Sequence, residues 1–224
     1  MPEYTVQFGK PAQPAAPDGR LDAPAFHRNH EPIWSVLSGF LQDRSGDVLE
    51  FGSGTGQHVV AYAQRSPRVV WWPSDVDALH LRSIAAWRAH AQLPNVQAPL
   101  RIDLSNFEAE GPGLPAGLLA VLCVNVLHIA PWAVAQGLAA AAARLLQPDG
   151  RLFVYGPFMQ NGRHTAPSNA AFDASLRQQN PNWGVRDTGD LDALARQHGL
   201  HIGEAVPMPA NNVVLVFARQ EKRR

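Results

Sequence analysis

The stretch Glu50-Phe51-Gly52-Ser53-Gly54-Thr55-Gly56 concentrates the residue types most able to hold a ligand. Glycines at alternate positions let the chain turn sharply and let a ligand lie against bare backbone. The apolar run Asp47-Val48-Leu49-Glu50-Phe51 enters this turn, and a helical pattern reaching Arg65 leaves it. The turn is therefore expected at the carboxyl end of a first strand, where open α/β sheets bind their ligands. A nucleoside-triphosphate loop needs Gly, four residues, then Gly-Lys-Ser/Thr, and this segment has no lysine. A dinucleotide turn reads G-x-G-x-x-G. Here the third glycine comes one residue early, and Glu50, two positions before the first, is awkward beside a pyrophosphate but suits a cationic ligand.

The elements that must position this turn can be read in order. Residues 1–24 carry Pro11, Pro14, Pro17 and Pro24 without periodicity and are expected to form an extended arm. Residues 25–224 are expected to form a single domain. Ile33, Trp34, Leu37, Phe40 and Leu41 share one face of a helix over 27–42, with Pro32 near its first turn. Strands follow at 68–72 and 98–102, with a helix at 78–91 between them. Leu118 to Val126 is a continuous apolar run, the mark of a central strand buried on both faces. A helix from Pro131 to Leu146, a turn at 147–150 and a strand from Arg151 to Tyr155 come next. Residues 156–167 read as a long loop, residues 168–179 and 189–198 as helices, and 201–206 and 212–218 as strands. This alternation is α/β with a mainly parallel sheet, its last pair antiparallel.

Composition narrows the functions. The chain has 224 residues, 46% hydrophobic and 17% charged, which supports a packed core. Its formal net charge is zero, which argues against a nucleic-acid protein relying on a global basic field. The single cysteine, Cys123, excludes an internal disulfide and a Cys-rich zinc site. The histidines are scattered, without H-x-x-x-H or H-x-H spacing, so no metal is expected. No secretory pattern opens the chain and no window is apolar enough for a membrane helix, so a cytoplasmic protein is the expectation.

The order of motifs resembles the class I S-adenosylmethionine-dependent methyltransferases. Glu50-x-Gly52-x-Gly54-x-Gly56 is similar to their first motif, and Leu145-Leu146-Gln147-Pro148-Asp149-Gly150-Arg151-Leu152 to their turn into strand five. The resemblance covers about 46–218. It implies a Rossmann-like, seven-stranded mixed sheet of order 3-2-1-4-5-7-6 with helices on both faces, and S-adenosyl-L-methionine as cofactor. It also implies cofactor contacts from Ser53, Thr55, Val76 and Leu104. Asp75, at the end of the second strand, matches the acid that accepts from both ribose hydroxyls, and Asp103 sits where the adenine amino group is read. Asn125-Val126-Leu127-His128 ends the fourth strand, beside the methyl group. A closer resemblance, to the methyltransferase-like protein twenty-six family, rests on Arg28-Asn29-His30-Glu31-Pro32-Ile33, Pro73-Ser74-Asp75-Val76-Asp77, His128-Ile129-Ala130-Pro131-Trp132, Tyr155-Gly156-Pro157-Phe158 and His164-Thr165-Ala166-Pro167-Ser168-Asn169. Asn29 opens the first helix, where its amide could meet the amino-acid end of the cofactor. No Pro-Pro-aromatic run follows Asn125, which counts against an amide or exocyclic base nitrogen as acceptor.

Plainer readings stand beside these. Asp75 and Asp103 could cap helices. His128 is either a general base for a small-molecule acceptor or a histidine bonded to backbone at a strand end. Tyr155, His164 and Asn169 either line an acceptor pocket or serve packing and loop solvation. The alternatives to a methyltransferase are a non-catalytic domain that binds S-adenosylmethionine or S-adenosylhomocysteine, and an NAD(P)-dependent oxidoreductase. The glycine spacing, Glu50 and the scarcity of lysine (Lys10 and Lys222) oppose the latter.

Overall fold

A computed structural model describes residues 13–14, 16–107 and 113–220. Of the expected arm 1–24, residues 1–12 and 15 lie outside the described residues. A seven-stranded sheet organises the molecule. Its strands are β1 (Gly46–Phe51), β2 (Val69–Asp75), β3 (Leu100–Arg101), β4 (Leu118–Val124), β5 (Leu146–Gly156), β6 (Leu200–Met208) and β7 (Asn212–Arg219). Across the sheet the order is β3-β2-β1-β4-β5-β7-β6, as the resemblance implied. β1 to β5 pair in parallel, and β7 enters antiparallel between β5 and β6.

All seven residues of β4 are buried, as a strand covered on both faces requires. Each large apolar side chain so enclosed contributes roughly 1.5–3 kcal/mol relative to leaving it in water. Alternation along β1 divides the core. Val48 joins the cluster under helices α1 (Pro24–Leu41) and α2 (Gln57–Arg65). Leu49 and Phe51 join the cluster on the opposite face, under α4 (Trp132–Leu145) and α6 (Thr188–Gln197), with α3 (Ala78–Ala91) and α5 (Pro167–Gln179) completing the helices. Cys123 is fully buried, and burial pushes its thiol pKa up, out of the reactive range.

Three elements differ from the expectation. α1 starts at Pro24, three residues before the expected start at 27, because proline suits a first helical turn. Pro32 is consequently inside the helix, where it removes one main-chain bond. The expected turn at 147–150 is absorbed into β5, with an irregular register opposite Leu118–Ala120. The expected loop 156–167 contains a small hairpin, Phe158–Gln160 against Arg163–His164, joined on its other side by Arg186–Asp187. Strands this short carry no readable period.

Residues 20–24 are strapped across two helices. Leu21 is buried, its N–H donating to Ser83 Oγ (2.9 Å) and its carbonyl accepting from Trp87 Nε1 (2.8 Å). Gln57 donates to Asp22 and accepts from the Ala23 N–H.

Candidate functional site

The carboxyl ends of β1, β2, β4 and β5 open into one cavity of about 880 Å³. Its floor is the glycine turn. Gly52 has φ +67, and a Cβ there would lie 2.5 Å from Val126 Cγ2. Gly56 has φ +90, and a Cβ there would press on the backbone of Ile84 at 2.9 Å. These two glycines are thus dictated by close packing against the next strand's end and against α3. Gly54 differs: at φ +56 it faces open space on the cavity wall, a bare-backbone cradle.

Asp75 is the one carboxylate on that wall among the described residues. Its Oδ2 accepts from the Gly54 N–H (2.8 Å) and its Oδ1 from the Asp77 N–H (2.9 Å). Backbone donors from two segments hold the carboxylate, and each oxygen keeps a lone pair for a further donor. Asp77, not Asp75, caps α3. His80 Nδ1 stands 3.4 Å from Asp75 Oδ1, a long contact without hydrogen-bond geometry. Burial opposes its charged form, but the Asp75 carboxylate outweighs that and raises the His80 pKa.

Of the residues singled out from sequence, Asn29, Gly52, Ser53, Gly54, Thr55, Asp75, Val76, Leu104, Asn125, His128 and Tyr155 border the cavity. Asn125 takes φ +58, a conformation asparagine tolerates, as β4 ends. His128 lies in a buried single turn, Leu127–Ile129. Its main-chain carbonyl accepts from Gly184 N–H (2.9 Å), and its ring meets Phe172 edge-on at 5.4 Å. Burial, with help from the nearby Arg186 cation, drives the His128 pKa down to about 3, so the ring is neutral at neutral pH. Arg186 holds this turn by donating to the carbonyls of Leu127, Ala130 and Asn182. Burial raises the pKa of the Tyr155 phenol.

Glu50, Gly56, Asp103, His164 and Asn169 do not border the cavity. Glu50 is 1% exposed beneath the turn, and neither carboxylate oxygen has a hydrogen-bond partner. The Ser53 hydroxyl close by donates instead to the main-chain carbonyl of Glu50 (3.3 Å). Burial pushes the Glu50 pKa up to about 8, and the Asp75 charge adds to this. Asp103 caps the short turn Leu104–Asn106, its Oδ1 accepting from the N–H and hydroxyl of Ser105. His164 lies 3.6 Å from Asp173. Asn169 donates to Thr165 Oγ1 and the Asn211 carbonyl, tying α5 to the turn before β7. One turn on, Phe172 is the residue of α5 that reaches the cavity.

Sequence reasoning missed Phe26, His58, His80 and Phe172, all on the cavity wall, where Arg28 also lies. His58 Nε2 is 2.9 Å from Asn29 Oδ1. It borders the cavity, yet burial holds its pKa down to about 3. A single histidine in a helix's first turn carries no sequence mark, but its spacing to the glycine turn could have nominated it.

Residues 20–219 match a family model described as a protein of unknown function, DUF938. The chain belongs to this family. Solved structures share its fold. An O-methyltransferase family protein from Burkholderia thailandensis superposes with a TM-score of 0.73 at 20% identity, over 89% of this chain and 58% of that one. The O-methyltransferase NcsB1 from neocarzinostatin biosynthesis, solved with S-adenosylmethionine and 2-hydroxy-5-methyl naphthoic acid, gives 0.63 at 18% identity, over 84% and 54%. The YcgJ protein from Bacillus subtilis gives 0.65 at 12%, over 86% and 100%. This DUF938 chain spans little more than half the length of the first two. With the strand order above, these likenesses establish the class I methyltransferase, Rossmann-like fold. No described helix is long and apolar enough to cross a membrane.

Proposed function

We propose that this chain is a cytoplasmic S-adenosylmethionine-dependent methyltransferase acting on a small-molecule acceptor, and that the DUF938 and methyltransferase-like protein twenty-six resemblances describe one family. The observation that carries this reading is the pairing of Gly54 and Asp75. An open backbone cradle and a carboxylate fixed by that cradle's own N–H share one cavity wall. Residues 25–224 would act as one domain.

The residues present fit the cofactor. Asp75 keeps lone pairs for two hydroxyl donors, Gly54 admits close approach, and Val76 and Leu104 offer apolar wall. Bound there, S-adenosylmethionine would supply a methyl group already activated by its sulfonium. The chain's own work is orientation, which can be worth ~7–11 kcal/mol. Phe172, Tyr155 and Val124 give the acceptor an apolar enclosure that excludes water. The acceptor atom loses its proton as the new bond forms. His128, neutral and unbonded through its ring among the described residues, offers a lone pair to that proton. A pKa of about 3 gives little driving force for full proton transfer. His128 therefore orients the acceptor more than it deprotonates it.

Calorimetric titration with S-adenosylhomocysteine and NADH tests the reading: the first should bind and the second should not. Asp75→Ala removes two charge-assisted bonds of ~1.5–3 kcal/mol each, so affinity should fall at least tenfold. Unchanged affinity in a folded Asp75→Ala variant rejects the assignment. Methyl-transfer screening against metabolite pools then identifies the acceptor.

A further inference from the structure

The cavity wall is polarised. Asp75 is its one carboxylate and Arg28 its one guanidinium among the described residues. The strands ending at Asp75 and Tyr155 are three inter-strand steps apart, ~14 Å at ~4.8 Å per step. Arg28 and Tyr155 both border the cavity, and the Arg28 charge is felt by the phenol. The described residues offer Arg28 neither a hydrogen bond nor an ion pair, whereas Arg44, Arg65 and Arg68 on the same half of the molecule are paired with Asp149, Glu31 and Asp43.

Asn29 adds directed donors. It is 4% exposed, and its Oδ1 accepts from His58 Nε2. A carbonyl oxygen only accepts, so the bonded ring nitrogen carries the proton, and the –NH₂ of this cavity-bordering amide is the end left to donate. No protein group takes that –NH₂ among the described residues.

We propose that Arg28 and Asn29 form a carboxylate-binding subsite, with His58 as the positioning residue that fixes the Asn29 amide. A guanidinium and an amide –NH₂, with no acid beside them, match two carboxylate oxygens. The carboxylate could come from the amino-acid end of S-adenosylmethionine or from an acidic acceptor. Only this choice of owner rests on the methyl-transfer reading; the subsite's chemistry does not.

Calorimetry on wild type, Arg28→Met, His58→Leu and His58→Gln distinguishes the sources. The probes are S-adenosylhomocysteine, the carboxylate-free 5′-methylthioadenosine, and the pair benzoate and benzamide. If the cofactor's carboxylate sits here, Arg28→Met and His58→Leu weaken S-adenosylhomocysteine at least tenfold and leave 5′-methylthioadenosine within twofold. His58→Gln, which keeps an N–H donor, restores most of the loss. If the acceptor's carboxylate sits here, S-adenosylhomocysteine is unchanged, and benzoate binds the wild type but not Arg28→Met, while benzamide binds neither. If the wild type binds no nucleoside, the methyl-transfer reading fails and the benzoate pair alone decides the subsite. Equal behaviour of wild type and Arg28→Met toward both pairs overturns the proposal. So does an equal loss of both nucleosides in His58→Leu without rescue by His58→Gln, which is the signature of a merely structural histidine.

Discussion

Glu50→Gln isolates the buried carboxyl beneath the glycine turn. Glu50 is fully enclosed, its oxygens unpartnered, and its pKa lies near 8 in the folded protein against an ordinary 4.5. The folded state therefore holds this proton more tightly than the unfolded chain. Its contribution to stability is fully present below pH 4.5 and is lost as the pH rises through about 8. Between those values stability falls by at most ~1.4 kcal/mol per pH unit, about 2 kcal/mol from pH 6.5 to 8. For a domain of this size that corresponds to roughly 4–8 °C in Tm. Glutamine keeps the shape and cannot ionise. Urea melts of both proteins at half-unit steps from pH 6.5 to 8.5 should show the wild type losing stability relative to Glu50→Gln by about 2 kcal/mol. A constant offset between the two reflects only the amide's extra polar hydrogens. Parallel curves across the whole range would refute the argument that Glu50 is protonated at neutral pH.

His58 and His128 set an opposite, acid limb. Both have pKa values pushed down to about 3, so their stabilisation is present above pH 6.5 and is lost as pH falls toward 3. Replacing His128 with Gln should flatten the acid limb in the same melts. Gly52→Ala should cost on the order of 2 kcal/mol or more, because its φ is positive and its new methyl meets Val126 Cγ2; Val126→Ala in the same chain should recover part of that cost. Arg186→Met removes a cation from beside His128 and frees the carbonyls of Leu127, Ala130 and Asn182. Imidazole NMR should then report a higher His128 pKa and melts a loss of roughly 1–3 kcal/mol; an unmoved His128 titration counts against the arrangement.

The sheet was legible because its signals are local: the seven-residue apolar run of β4, the glycines after β1 and the terminal antiparallel pair. The hairpin at 158–164 was not, because its paired segments, Phe158–Gln160 and Arg163–His164, are too short to show a period, and the Arg186–Asp187 strand on its other side comes some twenty residues on. Within the cavity, Asp75 was legible because a strand end and a glycine turn must meet there. His164 and Asn169 read as site residues because they are polar in a loop, yet Asp173, Thr165 and the Asn211 carbonyl engage them, partners only the tertiary structure supplies. Phe26, His58 and Phe172 escaped notice for the converse reason. Their exposure to the cavity comes from how α1, α2 and α5 are laid over the strand ends, which no run of residues encodes.

The position of β7 bears on how the chain is made. β5 carries the apolar run Leu152-Phe153-Val154-Tyr155, and its outer edge is paired by Val213 to Phe217 of β7. Translation delivers those residues about sixty positions after β5 itself. During that interval β5 presents an unsatisfied, hydrophobic edge to solvent or to any chaperone near the ribosome. Arg219 then closes the arrangement by donating to the carbonyls of Ala143 and Leu146 at the end of α4. A nascent chain stalled before residue 213 would carry the entire glycine turn and Asp75 yet leave that edge unpaired, so closing the sheet depends on a segment remote in sequence from the cavity's glycine floor.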